Sequence, residues 1–151
     1  MDACEQITDS GLKEVAKLEK LTELALFATK ITDAGLKEIA KLENLTNLGL
    51  NKTQVTDAGF KEIAKLENLT WLLLNGLQIT DSSLKEFAQL KNLKGLQLRG
   101  TKITDAGLKD LAKHQELLML NVEGTKVTKA GVAQLRKVLG PKCTVYSNAK
   151  E

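Results

Sequence analysis

The sequence predicts an α/β solenoid, with a parallel sheet on the inside of an arc and short helices on the outside. Three observations carry that prediction. The 24 residues Ile31–Gln54, ITDAGLKEIAKLENLTNLGLNKTQ, recur at Ile7–Lys30, Val55–Gln78, Ile79–Lys102 and Ile103–Lys126, and a partial sixth copy opens at Val127. Self-similarity at a period of this size marks a supersecondary unit that buries its apolar face only against its neighbours. Within each copy, apolar residues spaced i, i+3, i+4 precede an LxxLxL stretch, so a helix and a strand alternate along the chain. Parallel strands stack ~4.8 Å apart whereas packed helices need ~8–10 Å, and this mismatch bends the array with its sheet inward.

Three segments follow from the repeats: a leader at 1–6, five repeats at 7–126, and a degenerate capping repeat with its tail at 127–151. The leader, Met1 to Gln6, is acidic and has no apolar core, so it does not read as a secretory signal. Each repeat opens on Thr-Asp: Thr8-Asp9, Thr32-Asp33, Thr56-Asp57, Thr80-Asp81 and Thr104-Asp105. The Thr hydroxyl suits an N-cap, and the carboxylate suits the positive end of the helix dipole. The helix is expected to run for about ten residues. Leu36, Ile39 and Ala40 face inward, and Lys37, Glu38 and Lys41 face water. The column Ala16, Ala40, Ala64, Ala88 and Ala112 is expected where neighbouring helices press together. Asn44, Asn68 and Asn92 are expected to end their helices in the left-handed conformation. The strand then sends Leu48 and Leu50 into the core and residues 47, 49 and 51 outward.

The frame LxxLxLxxTxITDxGL resembles the leucine-rich repeat, with Thr29, Thr53, Thr101 and Thr125 where many members carry Asn or Cys. The ITDAGL opening is similar to cysteine-containing, ribonuclease-inhibitor-like and regular bacterial repeats of this family. The resemblance covers nearly the whole chain. It implies a horseshoe whose concave sheet commonly binds other proteins, and it implies no activity. The last copy departs from the frame: Lys129 stands in place of Asp and Arg136 in place of the packing Ala, as suits a terminal repeat. Gly140-Pro141 breaks its helix, and Cys143-Thr144-Val145 is expected to supply a last strand. At the other end little precedes the first strand, Thr22–Leu26. That edge is therefore either covered in a longer array, the favoured reading, or a contact site open to self-association.

Charged residues make up 27% of the chain and hydrophobic ones 42%, the balance of an ordered globular protein. A net charge of +3 with Lys and Glu interleaved does not point to nucleic acid. No apolar run approaches the roughly 18 residues of a membrane span. Cys4 and Cys143 lie at opposite ends of the array, on the order of 20 Å apart by strand stacking, too far for a disulfide. Together these features lean towards a reducing, cytoplasmic setting.

Function is expected in the outward strand positions, which vary while the Leu frame does not. They form three columns: Glu23, Asn47, Trp71, Gly95, Met119; Ala25, Gly49, Leu73, Gln97, Asn121; and Phe27, Asn51, Asn75, Arg99, Glu123. The single Trp lies among them, beside Leu73, with Gly95 and Gly49 as lateral neighbours, which suggests a ridge beside a hollow. Trp and Arg are enriched at binding hot spots. Two readings stand for Trp71, a contact residue or a ring folded flat to shield the sheet, and contact is the expectation. The expected partner-binding set is Trp71, Leu73, Asn75, Arg99, Gln97, Asn51, Met119, Asn121, Glu123 and Phe27. Repeat three also breaks its own template with Leu77 for Thr, and the next helix starts Asp81-Ser82-Ser83 instead of Asp-Ala-Gly; drift accounts for both changes at least as well as a tuned site does.

Catalytic chemistry finds no foothold. His114 is the only histidine and falls in the column of Leu18, Leu42, Leu66 and Leu90, a structural place. No nucleophile elbow, phosphate loop or zinc motif occurs. The Asp column is accounted for by helix starts, with no loop of oxygens to complete a calcium site. The convex Lys stripe, Lys13, Lys37, Lys61, Lys85 and Lys109, runs beside Glu14, Glu38, Glu62, Glu86 and Asp110 and solvates itself. No enzyme, cofactor or metal is therefore expected. The predicted function is a protein- or peptide-binding module acting through its concave sheet. The alternative is a structural spacer within a longer repeat protein.

Overall fold

The LxxLxL stretches form the strands expected of them, in a computed structural model that describes residues 6–149. The strands are β1 (Glu23–Ala25), β2 (Asn47–Gly49), β3 (Trp71–Leu73), β4 (Gly95–Gln97), β5 (Met119–Asn121) and β6 (Thr144–Tyr146). All pair in parallel in the order β1-β2-β3-β4-β5-β6. Between them run α1 (Asp9–Val15), α2 (Asp33–Ile39), α3 (Phe60–Ile63), α4 (Asp81–Phe87), α5 (Asp105–Leu111) and α6 (Lys129–Leu139). The sheet lines the concave side and the helices the convex side, which makes the chain a horseshoe solenoid. The last strand arises where the sequence places it. Cys143 is buried at its start, and Cys4 lies outside the described residues.

One continuous core fills the space between sheet and helices. Leu48, Leu72, Leu96 and Leu120 point into it from the strands, and Leu36, Ile39, Ile63, Leu84 and Leu111 from the helices. Phe60 and Phe87, which stand in the Leu36 and Ile39 columns, meet edge to face with ring centres 5.1 Å apart. On the convex side Glu14, Glu38, Glu62 and Asp110 pair with Lys17, Lys41, Lys65 and Lys113. Such exposed pairs contribute about 0.5 kcal/mol or less each.

Hydrogen bonds between repeats hold the stack in register. Asp33 does more than face its own helix dipole. Its Oδ1 accepts the Thr56 N–H at 2.8 Å and its Oδ2 accepts the Thr56 hydroxyl at 2.6 Å. The same double clamp joins Asp9 to Thr32, Asp57 to Thr80, Asp81 to Thr104 and Asp105 to Thr128. The Thr hydroxyl in turn accepts from the first helical turn, as in Ala34 N–H to Thr32 at 3.3 Å. The conserved-in-chain Thr of the turn closes it locally: Thr29, Thr53, Thr101 and Thr125 each donate to the carbonyl three residues back.

Two sequence expectations are corrected. The helices of the five full repeats are shorter than ten residues: α2 ends at Ile39 with Ala40 as its C-cap, so Asn44 lies beyond it. Asn44, Asn68 and Asn92 are not left-handed helix stops; their amides donate to the carbonyls of Glu19, Glu43 and Glu67 in the preceding repeat. The left-handed residues instead follow the strands, at Ala28, Lys52, Gly76, Gly100 and Gly124. There the backbone must reverse out of the sheet while its N–H reaches the next repeat, as Lys52 does to Asn75 at 3.0 Å.

His114 takes the core place of Leu90 one repeat later, 4% exposed, and its Nε2 has no partner. Burial pulls its pKa below the ordinary 6.5, outweighing a hydrogen bond with the Leu90 backbone. The unfolded chain binds the proton near pH 6.5 while the folded chain resists it. The stability linked to this group is therefore complete above about pH 6.5 and falls as pH drops towards the folded-state pKa. His114→Leu is expected to stabilise the chain by about 1 kcal/mol at neutral pH, by removing an unsatisfied buried nitrogen. In urea titrations that advantage grows between about pH 7 and pH 5; a constant difference would contradict this role.

Candidate functional site

The strand registers bring the variable positions into rows on the concave face. Glu23, Asn47, Trp71, Gly95, Met119 and Thr144 are successive partners in one row. Ala25, Gly49, Leu73, Gln97, Asn121 and Tyr146 are partners in the second. Each strand is short because the turn begins two residues after it. The third predicted column, Phe27, Asn51, Asn75, Arg99 and Glu123, therefore lies along the turns at the rim of the sheet.

Trp71 lies flat and does not stand as a ridge. A Cβ added to Gly95 would come within 2.0 Å of Cε3 and 2.1 Å of Cζ3 of the indole, so the ring occupies the hollow that Gly95 leaves. Phe27 repeats the arrangement two repeats earlier: a Cβ on Gly49 would meet its Cε1 at 2.2 Å. Both rings lean onto the following strand and bury the glycine beneath them. Trp71 keeps part of its surface open, as do Leu73 and Met119, and Phe27 is 44% exposed. Shielding and exposure thus coexist in the same rings. A flat indole on a glycine floor presents one broad face to a ligand with little rotamer freedom left to lose.

The polar members divide into tethered and free. Asn51 Oδ1 accepts the Asn75 N–H at 2.7 Å, and Asn75 Oδ1 accepts the Arg99 N–H at 2.9 Å, so these two side chains link successive turns. Asn75 also donates to Gln97 Oε1 at 2.8 Å. Asn121 accepts from the Glu123 N–H at 2.9 Å and reaches its carboxylate at 3.3 Å. The Arg99 guanidinium has no hydrogen-bond or ion-pair partner among the described residues and is exposed. Asn51 and Asn75 thus have their carbonyl oxygens committed to the frame, while Arg99 and Glu123 keep charge available to a ligand.

Two exposed side chains were missed in the sequence. Tyr146, 49% exposed, extends the second row beyond Asn121. The spacing from Asn121 to Tyr146 is one residue longer than the 24-residue period, so counting by repeats lands on the buried Val145 instead. Leu118, 45% exposed, precedes β5 in a column that holds Thr22, Thr46, Thr70 and Lys94 earlier, and an apolar residue in this polar column was its signal. In the first row Trp71 on β3 and Met119 on β5 flank Gly95. In the second row Leu73 on β3 and Tyr146 on β6 stand on either side of Gln97 and Asn121. These partly open apolar side chains make up an apolar field that spans β3 to β6. A groove of about 390 Å³ lies on the other side, between α5 and α6, lined by Ala112, Leu135 and Val138, and shares no residue with this field.

Residues 17–40 and 89–112 match the family model described as Leucine Rich repeat. Among curated proteins none matches the sequence. Solved structures do. Internalin C2 from Listeria monocytogenes is 26% identical with a TM-score of 0.75, over 90% of this chain and 55% of that one. A leucine-rich-repeat protein from Leptospira interrogans is 29% identical with a TM-score of 0.69, over 88% of this chain and 33% of that one. A plant peptide hormone receptor, determined as a complex, is 22% identical with a TM-score of 0.61, over 89% of this chain and 22% of that one. The chain spans little more than half the length of these proteins, or less.

Because Trp71 is the only tryptophan, its emission reports on this site alone. Gly95→Ala is expected to lift the indole off the sheet and shift its fluorescence to the red, with far-ultraviolet circular dichroism unchanged. An unshifted spectrum would show that the ring does not rest on Gly95.

Proposed function

We propose that this leucine-rich-repeat solenoid is a binding module that takes a protein or peptide ligand on its concave sheet. The observation that carries the reading is the apolar field of Trp71, Leu73, Met119 and Tyr146. These side chains stand partly open on a sheet whose opposite face is already fully packed. Their own fold does not need them exposed, and open aromatic and apolar side chains on a rigid scaffold are the usual anchors of an interface. Arg99 and Glu123 on the rim give the ligand's charged groups an orientation, since rim charges set register and encounter more than affinity. The fold's occurrence in a peptide hormone receptor supports the same ligand class. No helix among the described residues is long and apolar enough to cross a membrane.

A displayed random-peptide library panned against the wild-type chain tests the reading. The double variant Trp71→Ala, Leu73→Ser serves as the comparison, with circular dichroism as the check on folding. Selected peptides are expected to bind the double variant at least about 30-fold more weakly, which is the roughly 2 kcal/mol of a hot spot. Peptides that bind both proteins equally would move the site elsewhere.

A further inference from the structure

On the convex side each repeat's acid balances lysines of two repeats, and at one junction that acid is missing. Glu38, Glu62 and Asp110 each accept the ammonium three residues on, from Lys41, Lys65 and Lys113. The acid also feels the repeat before it. The Lys65 hydrogen bond chiefly holds the Glu62 carboxyl below its ordinary value, and Lys61 and, one repeat earlier, Lys37 add to the effect. Counting 24 residues on from Asp110 reaches Gln134, which is neutral. Lys109 stands to Gln134 as Lys37 stands to Glu62, and Lys137 as Lys65 does. Both side chains are exposed, and neither ammonium has a hydrogen-bond or ion-pair partner among the described residues.

An apolar groove opens at the same junction. α5 ends at Leu111 with Ala112 as its cap, whereas α6 continues to Leu139, so its last turn runs past the end of α5. Counted by repeats, Val138 falls in the buried column of Leu66, Leu90 and His114. Continuing the helix brings Leu139 inward instead and leaves Val138 49% exposed. Ala112, Leu135 and Val138 present carbon to a groove of about 390 Å³, with Lys109 and Gln134 also among its walls. Asp105 borders it too, with both oxygens held by the Thr128 N–H and hydroxyl.

We propose that the α5–α6 groove binds a small amphiphile bearing one carboxylate, at a site separate from the concave field and independent of its use. The carbon chain lies over Ala112, Leu135 and Val138. The carboxylate stands beside Lys109 and Lys137, in place of the acid that position 134 lacks. Charge selects the head group, because two unpaired ammonium groups flank a neutral amide where the five earlier repeats carry Glu or Asp. Size selects the class. Small-ligand sites occupy roughly 300–1,000 Å³, whereas a stable protein interface takes about 800 Å² from each partner. Val138 is the only exposed large apolar side chain of α4, α5 and α6, and the stripe beside it is charged, so no wider apolar surface continues the groove.

Octanoate and its uncharged analogue 1-octanol, titrated separately into the whole chain and followed by methyl and indole chemical shifts, test the proposal. Octanoate is expected to shift the Leu135 and Val138 methyls saturably and to leave the Trp71 indole unmoved. Gln134→Glu supplies the missing carboxylate from the chain itself. It is expected to weaken octanoate at least about fivefold, the upper worth of an exposed ion pair, and to leave 1-octanol binding as in the wild type. Val138→Ser is expected to weaken both ligands. Both positions are exposed, and circular dichroism checks that the variants keep the fold. Octanoate binding that Gln134→Glu leaves unchanged, or an equal loss of both ligands in that variant, overturns the proposal. Octanoate shifts at Trp71 and Met119 in place of α6 overturn it as well. So does a wild-type chain that dimerises in sedimentation and becomes monomeric with Val138→Ser, which makes a second copy the occupant.

Discussion

Each aspartate of the Thr-Asp pair serves two repeats at once. It sits in the first turn of its own helix, where the dipole favours a negative charge, and it accepts both polar hydrogens of the next repeat's Thr. The approach is so close that a plain side chain in place of the following Gly would push the carboxylate out of position. A Cβ on Gly35, Gly59, Gly107 or Gly131 would lie 2.1–2.6 Å from the preceding Asp Oδ1. Thr, Asp and Gly in ITDxG are thus one device for joining repeats. Repeat four alters it: Ser83 stands at the Gly position and donates its own hydroxyl to Asp57. Burial raises the Asp57 pKa, but the hydrogen bonds from Ser83 and Thr80 outweigh it and hold the carboxyl below its usual value. The stability linked to Asp57 is present above the ordinary carboxylate range and is lost as pH falls through the lowered pKa.

Such a joint fixes each strand against the next, and the proposed recognition surface depends on that. Side chains on three-residue strands have no long ladder to define them; their positions come from the repeat-to-repeat register. The Asn44, Asn68 and Asn92 amides on one flank and the Asn51–Asn75–Arg99 links on the other extend the same lock to the turns. What these links leave open to solvent is part of the concave apolar surface and the Arg99 guanidinium.

The Leu frame was legible in the sequence because periodic burial writes itself as periodic Leu, and the outward columns followed from strand alternation. The partners of the polar residues were not legible. Asp33 read as a helix-start residue and Asn44 as a helix stop, because each type has a local role that sequence can suggest. Their bonds across 23 and 25 positions appear only once the stack is built. Trp71 beside Gly95 was visible as a pair, yet whether the ring stood up or lay down depended on an empty Cβ position. Tyr146 escaped because the Gly140-Pro141 turn shifts the final strand out of the repeat count.

In the proposed function ligand recognition lies on the concave field, and the convex helices have no part in it. The most direct test is a methyl and indole chemical-shift map of the chain titrated with a library-selected peptide. Perturbations are expected at the Leu73 and Met119 methyls and the Trp71 indole, with the Val132, Leu135 and Val138 methyls of α6 unmoved. Shifts confined to α5 and α6, with Trp71 silent, would contradict it.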